Sequence, residues 1–354
     1  MKKFTDILNE KYILNIEGLT NLIKENVNEP DIKNFKLKGV KKLLYISVDY
    51  AKSIDKLSEI GVKSYFFNPE ILEFNLKNGN ITLTSEKTTI TISSKDAVDT
   101  VILMRSGYKD KNINFLLDEV KKLGIMVLND TEAIKVSSDK FNTAQLLQNY
   151  NILTPKFVMI IKSDITIDDD KNFIKKLKTI YPKLNDDSKF VCKILGGHGG
   201  KGVFLCNYSN IKSIIQCIFA VNHEEKIIVQ EFLKIKDGDI RVNVITMNGK
   251  QEIFNTTMRR KMTSDFRTNL SLGNKIDDTI QITDKQKEIA LKCGRISGLT
   301  WVGVDLFPTE DGKTYVVELN GVPGPMSNLN EEDRLEENVK FYKLLIETIN
   351  KLCK

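Results

Sequence analysis

The sequence predicts a mixed α/β (α+β) protein, an N-terminal α/β unit followed by two further units, and three observations lead there. Strand-like and helix-like runs alternate from Lys41 onward. Five glycines crowd into residues 196–202 between two apolar runs. Near the C-terminus a hairpin carries Asp305 on one strand and Glu318 and Asn320 on the other. At 354 residues, 41% of them hydrophobic, the chain has material for about two to three domains with their own cores.

Taken in order, residues 1–40 mix short apolar groups with Asn and Lys and read as a helical N-terminal extension. Residues 41–130 form the N-terminal α/β domain: a strand over 42–48, a helix over 51–60 and a second strand over 62–67. Strands over 71–76 and 81–84 flank Asn78-Gly79, a short hairpin turn signal, and 88–92 adds another strand. A strand over 101–104, a helix near 112–123 and a strand over 125–128 complete this unit. The second unit, 131–190, has a helix over 141–150, a strand over 157–161 and a lysine-rich helix over 172–181 that stops at Pro182. The third, 191–354, contains the glycine loop, the acidic hairpin and two helices. Over 283–297 a helix opens with a Thr283/Gln286 capping box, buries Ile289, Ala290, Cys293 and Ile296, and stops at Gly298. Leu335, Val339, Tyr342, Leu345, Ile349 and Leu352 stripe the last helix.

Composition excludes several classes. No stretch approaches the roughly 20 apolar residues of a membrane span, and the first ten residues are too acidic and interrupted for a signal peptide, so a cytoplasmic location is expected. Five scattered cysteines without a CxxC pair and two histidines suit neither a zinc site nor a disulfide framework. The net charge of +6 is modest for this size; it permits an anionic substrate and does not argue for nucleic acid.

Side chains two apart on a strand share a face, so Glu318 and Asn320 point the same way and Asp305 on the partner strand can join them. Two carboxylates and an amide oxygen suit Mg²⁺ or Mn²⁺ and leave room for water and phosphate oxygens. An ordinary acidic hairpin is the alternative. In the loop Gly196-Gly-His198-Gly199-Gly200-Lys201-Gly202, backbone N–H groups can turn toward an anion and Lys201 adds charge. The loop satisfies G-x-G-x-x-G, yet a strand follows it rather than the helix a dinucleotide fold requires. It is no Walker A loop either: Leu195 stands five before Gly200, and Gly202 follows Lys201. A glycine lid over phosphates remains, beside the plainer reading of a bare hairpin tip. Lys193, in an otherwise apolar strand, needs a partner or a solvated cleft. Gln230 and Glu231 end an apolar strand and could be either a solvated strand end or the start of a hinge whose backbone meets an adenine edge.

The order of Ser138-Asp139-Lys140, Lys193 before a glycine lid, Gln230-Glu231-Phe232-Leu233, Asp239-Ile240-Arg241, Asp265-Phe266-Arg267-Thr268-Asn269, Val304-Asp305 and Glu318-Leu319-Asn320-Gly321-Val322-Pro323-Gly324 resembles the ATP-grasp superfamily, and within it the RimK-like ligases. The resemblance covers about residues 130 to 325. It implies an ATP-grasp fold, the N-terminal α/β domain followed by two lobes that sandwich the nucleotide. It implies that Lys140 and Lys193 hold the α- and β-phosphates under Gly199, Gly200, Lys201 and Gly202. Gln230, Glu231 and Leu233 would form the adenine hinge, and Asp239 would be the ribose acid. Asp305, Glu318 and Asn320 would be ligands to two Mg²⁺ ions, or Mn²⁺, with Glu318 bridging. Arg267 would face the γ-phosphate and acyl phosphate, and Asn269 and Arg241 would lie beside the substrate. Gly303 departs from the pattern, since many relatives carry arginine there, and Arg259-Arg260 has no assignment. The implied activity is an ATP-dependent ligase that joins a carboxylate, activated as acyl phosphate, to an amine, releasing ADP and phosphate. An amino acid or a peptide would be its substrate, and the subunit number is left open, a homo-oligomer included. Two alternatives share the fold: a small-molecule kinase with a polyol phosphate acceptor, and a nucleotide-binding regulator without turnover.

Overall fold

The computed structural model describes residues 30, 33–86, 88–129, 131–165, 170–195, 200–221, 226–236, 238–261, 266–267, 275–277, 281–324 and 331–354. Most of the expected N-terminal extension therefore lies outside the described residues. Its end, 33–41, is irregular rather than helical and is pinned by two side chains: Phe35 N–H donates to Asn248 Oδ1 and Val40 N–H to Asn350 Oδ1, each at 2.7 Å.

The first unit runs β1 (Lys42–Ile46), α1 (Lys52–Asp55), β2 (Lys63–Phe67), β3 (Glu73–Lys77), β4 (Asn80–Ser85), β5 (Thr88–Ser93), β6 (Thr100–Met104), α2 (Lys111–Lys122) and β7 (Met126–Leu128). Strands β2-β1-β6-β7 make a parallel sheet, and β3-β4-β5 a separate antiparallel one. Asn78 and Gly79 both take positive φ (51° and 72°), which the right-handed twist of a two-residue hairpin demands.

Then follow α3 (Thr131–Ser138), α4 (Lys140–Asn149), β8 (Phe157–Ile161), α5 (Lys171–Ile180), β9 (Lys189–Ile194), β10 (Val203–Asn207), α6 (Ile211–Val221) and β11 (Lys226–Glu231). The antiparallel order β10-β9-β11-β8 joins β8, which precedes residue 190, to β9, which spans it, and to β10 and β11 beyond it in one sheet. One face of this sheet, with Ile160, Phe190, Cys192, Ile227 and Val229, packs with Phe173 and Leu177 of α5 and Ile211, Ile215 and Ile218 of α6. Alternation puts Val191, Lys193, Ile228 and Gln230 on the other.

The last unit contains β12 (Gly238–Met247), β13 (Lys250–Lys261), β14 (Lys275–Asp277), α7 (Asp284–Ile296), β15 (Trp301–Pro308), β16 (Thr314–Asn320) and α8 (Glu331–Leu352). Its antiparallel sheet, ordered β14-β13-β12-β15-β16, sorts its side chains cleanly. Ile240, Val242, Val244, Val302 and Val304 face Ala290, Cys293 and Ile296 of α7. The opposite face begins polar, with Arg241, Asn243 and Asp305, and becomes apolar at Ile245, Met247 and Trp301, which join Leu43, Tyr45 and Val101 of the first sheet and Phe341 and Tyr342 of α8 in one core. The Thr283/Gln286 capping box is formed in both directions, at 2.9 and 3.3 Å.

Candidate active site

Lys140 is the first residue of α4, placed there by Asp139, whose Oδ1 accepts from the N–H groups of Phe141 (2.8 Å) and Asn142 (3.0 Å). That cap stabilises the helix start by about 1 kcal/mol and sets the direction of the lysine. Lys140 Nζ reaches the Leu195 carbonyl at 3.4 Å, at the foot of the glycine loop. Lys193 stands on β9 opposite Ile228, on the face of the sheet that α5 and α6 leave open. Burial depresses the proton affinity of both lysines. Lys193 is drawn down to about 8 by burial, against the pull of Glu318 and Asp305 and with the help of the Lys140 charge. Burial lowers Lys140 too, opposed by Glu318 and Asp139. Both lysines thus feel one carboxylate, Glu318 of β16, although they come from α4 and β9.

The hairpin supplies the far wall. Asp305 pairs in register with Glu318, and Gly303 with Asn320. A bulge after Asp305 leaves Val317 unpaired and breaks the ladder beside the acids. Asn320 Nδ2 lies 3.4 Å from Asp305 Oδ2. Two carboxylates and an amide oxygen on one strand face are hard donors that fit a divalent cation sharing its sphere with phosphate oxygens and water. Among the described residues no group of three or more His, Cys, Asp and Glu gathers to enclose a metal by itself. Arg241 shapes this wall: its Nε and Nη2 donate to Asp305 Oδ1 and Oδ2, the second at 2.8 Å. Burial disfavours the guanidinium charge, and the Asp305 carboxylate more than offsets it, holding Arg241 above its ordinary range.

Gly303 explains why that pair fits. A Cβ there would stand 2.9 Å from Pro323 Cβ and 3.1 Å from Arg241 Cδ, so the missing side chain is the space that Arg241 and the Pro323 ring fill. Asn129 fastens the same corner. Its Oδ1 accepts from Trp301 N–H at 2.8 Å and its Nδ2 donates to the Gly321 carbonyl at 2.6 Å. The sequence reading passed over Asn129, although a lone amide closing an apolar strand is a signal for such a role.

The remaining expected residues divide. Gln230 is buried, not a solvated strand end, because its strand is central in the four-stranded sheet. Glu231 is tied to the neighbouring strand's approach: Lys156 N–H donates to Glu231 Oε1 at 2.8 Å. Leu233 is half-buried just beyond. Asp239 is buried at the start of β12, on the face that carries Arg241. Gly200 and Gly202 take positive φ, Lys201 between them is exposed, and Arg267 Nη1 donates to the Gly200 carbonyl at 3.0 Å. Gly199, His198 and Asn269 lie outside the described residues, as do the side chains of Arg259 and Arg260.

The model of the RimK-like ATP-grasp domain matches residues 137–338, over half of the chain. The chain belongs to the RimK-like ATP-grasp family. It is similar to coenzyme gamma-F420-2:alpha-L-glutamate ligase of Methanocaldococcus jannaschii, 31% identical over 226 residues that cover 62% of this chain and 71% of that protein. A probable alpha-L-glutamate ligase of Methanococcoides burtonii is 32% identical over 211 residues, 59% of this chain and 64% of that one. Among solved structures, the ATP-grasp ligase PsnB complexed with a minimal precursor aligns over 89% of this chain and 99% of its own, with a TM-score of 0.60 at 16% identity. D-alanyl-alanine synthetase A from Vibrio cholerae aligns over 90% and 99%, with a TM-score of 0.59 at 15% identity. These two likenesses carry the fold: a RimK-like chain with the ATP-grasp architecture expected from its motifs. Membership in this family, with relatives named glutamate ligases, makes the protein an ATP-dependent carboxylate–amine ligase. ATP-grasp ligases use ATP and divalent metal ions. No described helix is long and apolar enough to cross a membrane.

Proposed function

We propose that this ligase joins the amino group of an amino acid, glutamate in the first instance, to a carboxylate of a small-molecule or peptide acceptor, with the nucleotide bound between the β10-β9-β11-β8 sheet and the β14-β13-β12-β15-β16 sheet. The observation that carries this reading is the coupling of Lys140 and Lys193, on one side of the cleft, to Glu318 on the other. The relatives' names supply glutamate.

On this reading Lys140 and Lys193 hold the α- and β-phosphates, with Gly199, Gly200, Lys201 and Gly202 closing over them. Gln230, Glu231 and Leu233 meet the adenine edge, and Asp239 meets the ribose. An acceptor carboxylate oxygen attacks the γ-phosphorus, the bond to the ADP oxygen breaks, and an acyl phosphate forms. The amine nitrogen then attacks the acyl carbon, phosphate leaves, and the nitrogen gives up a proton as the amide forms. Lys140, Lys193 and Arg267 neutralise the charge that gathers on phosphoryl oxygens, so catalysis is chiefly positioning and electrostatics. Asp305, Glu318 and Asn320 would hold Mg²⁺, with Mn²⁺ an acceptable substitute. Such ions, when bound, add further neutralisation of the phosphates. Arg267, through the Gly200 carbonyl, ties the substrate side to the lid, which keeps water from the acyl phosphate. Arg241 orients Asp305, and Asn269 stands near the acceptor. The cytoplasm, where ATP is plentiful, is the expected place of work.

The test is ADP and phosphate release with Mg·ATP across the amino acids, singly and in pairs, followed by mass spectrometry. A product at the sum of two substrates minus water, with one ADP per product, is expected. A phosphorylated product without amine dependence would replace the ligase reading by a kinase.

A further inference from the structure

Arg105 follows β6 directly, at the carboxyl edge of the parallel sheet, where open α/β sheets bind their ligands. Its backbone N–H is fixed to the Ile46 carbonyl at 2.8 Å, but its side chain leaves the first unit altogether. The guanidinium lies 5.9 Å over the Trp301 ring of β15 and donates from Nη1 to the Pro323 carbonyl, in the loop after Asn320. Gly324 makes room for it: a Cβ there would sit 2.5 Å from Arg105 Nη2. Among the described residues no carboxylate forms an ion pair with Arg105, so a half-buried cation has one neutral acceptor for five N–H donors.

A second observation points the same way. Asn243 is fully buried opposite Gly303, its Oδ1 accepts from Trp301 Nε1 at 3.3 Å, and its Nδ2 has no partner. An unsatisfied buried N–H group and a guanidinium without a carboxylate partner among the described residues thus both attend Trp301, on the strand that carries Asp305 four residues on. Donors without acceptors ask for an anion. A guanidinium beside an indole, with one neutral acceptor for its five N–H groups, has the donors for two parallel N–H···O bonds, the match of a carboxylate rather than of a lone hydroxyl.

We infer that Arg105 forms a subsite for a substrate carboxylate that is not the one activated, such as the α-carboxylate of the amino acid being joined. The subsite rests on the ligase reading for its substrate. The first unit then contributes directly to specificity, and amino acids whose α-carboxylate is masked are poor substrates.

The experiment uses the full chain saturated with Mg·AMP-PNP and titrated calorimetrically with L-glutamate and with its α-amide, for wild type, Arg105→Gln and Arg105→Lys. Wild type is expected to bind glutamate at least tenfold more tightly than the amide. Arg105→Gln should lose that preference and Arg105→Lys recover part of it, while AMP-PNP affinity and melting temperature stay at wild-type values. No carboxylate preference in wild type, a preference retained in Arg105→Gln, or a loss accompanied by weaker nucleotide binding and lower melting temperature would each overturn the subsite. ADP release on the same preparations separates the two claims: a carboxylate preference that depends on Arg105, with no ADP formed from any acid–amine pair, removes the ligase reading and leaves the subsite standing.

Discussion

Lys193 gives up its proton near pH 8 because burial outweighs the attraction of Glu318 and Asp305. Unfolded, it holds that proton to about pH 10.5. Between those values the unfolded chain binds more protons, so this group's contribution to stability rises with pH across the window, and below it a cost of roughly 3 kcal/mol is fully present. Phosphates favour the ammonium form. Mg·ADP binding should therefore take up a proton above pH 8 and weaken by up to about tenfold per pH unit, whereas Lys193→Arg should bind with a flat profile; titrations at pH 7 to 9.5 in buffers of different ionisation enthalpy read this, and a flat wild-type profile would remove the phosphate role. The buried Arg241–Asp305 pair makes a second prediction. Breaking it in Arg241→Met should cost about 3–5 kcal/mol in denaturant unfolding, and Arg241→Met/Asp305→Leu should regain most of that without regaining turnover. Recovery of activity in the double variant would make the pair structural only. Sequence reading placed Arg241 beside the substrate and Asp305 on the metal, but it could not see them hydrogen-bonded, because the register of β12 against β15, strands far apart in the chain, leaves no mark in composition.

Among the elements, the β9–β10 hairpin depends on close contact. Ile194 N–H donates to the Gly202 carbonyl at 2.9 Å, Gly202 has φ of 72°, and a Cβ on it would lie 2.7 Å from Ile194 Cδ1. Gly202→Ala should raise the KM for ATP several-fold while leaving the melting temperature within about 2 °C, since it strains a loop rather than a core; unchanged KM would show that the lid tolerates the strain. Most elements were legible because their signals were local: the Asn78-Gly79 turn, the Thr283/Gln286 box and the stripe of α8. Three were not. α6, Ile211–Val221, is rich in β-branched residues, so its helical spacing of Ile211, Ile215 and Ile218 competes with a strand-like composition. β13 is polar along most of its length and is announced only by Asn248-Gly249, both at positive φ. α3 is a short helix whose boundary with α4 is set by the Asp139 cap.

Across the whole molecule, α8 and the face of β12, β13 and β15 close one core with the first sheet. Phe341 stands at its centre, 5.7 Å from both Phe254 and Trp301 and 5.5 Å from Tyr342. Phe341→Ala should cost about 3–5 kcal/mol, lowering one shared unfolding transition rather than splitting it; two transitions would mean that the first unit unfolds alone. This core also holds Arg105 against Trp301, so the first unit is fixed relative to the hairpin that carries the acids. The proposed nucleotide site joins residues far apart in sequence, and only motif order, not periodicity, could suggest Lys140, Lys193 and Glu318 together before the fold was known. The most direct test is Mg·ATP turnover by Glu318→Ala. The expected result is loss of ADP formation by at least about a thousandfold with the melting temperature preserved. Full turnover in that variant would contradict a site built between Lys140, Lys193 and the Asp305–Glu318 hairpin.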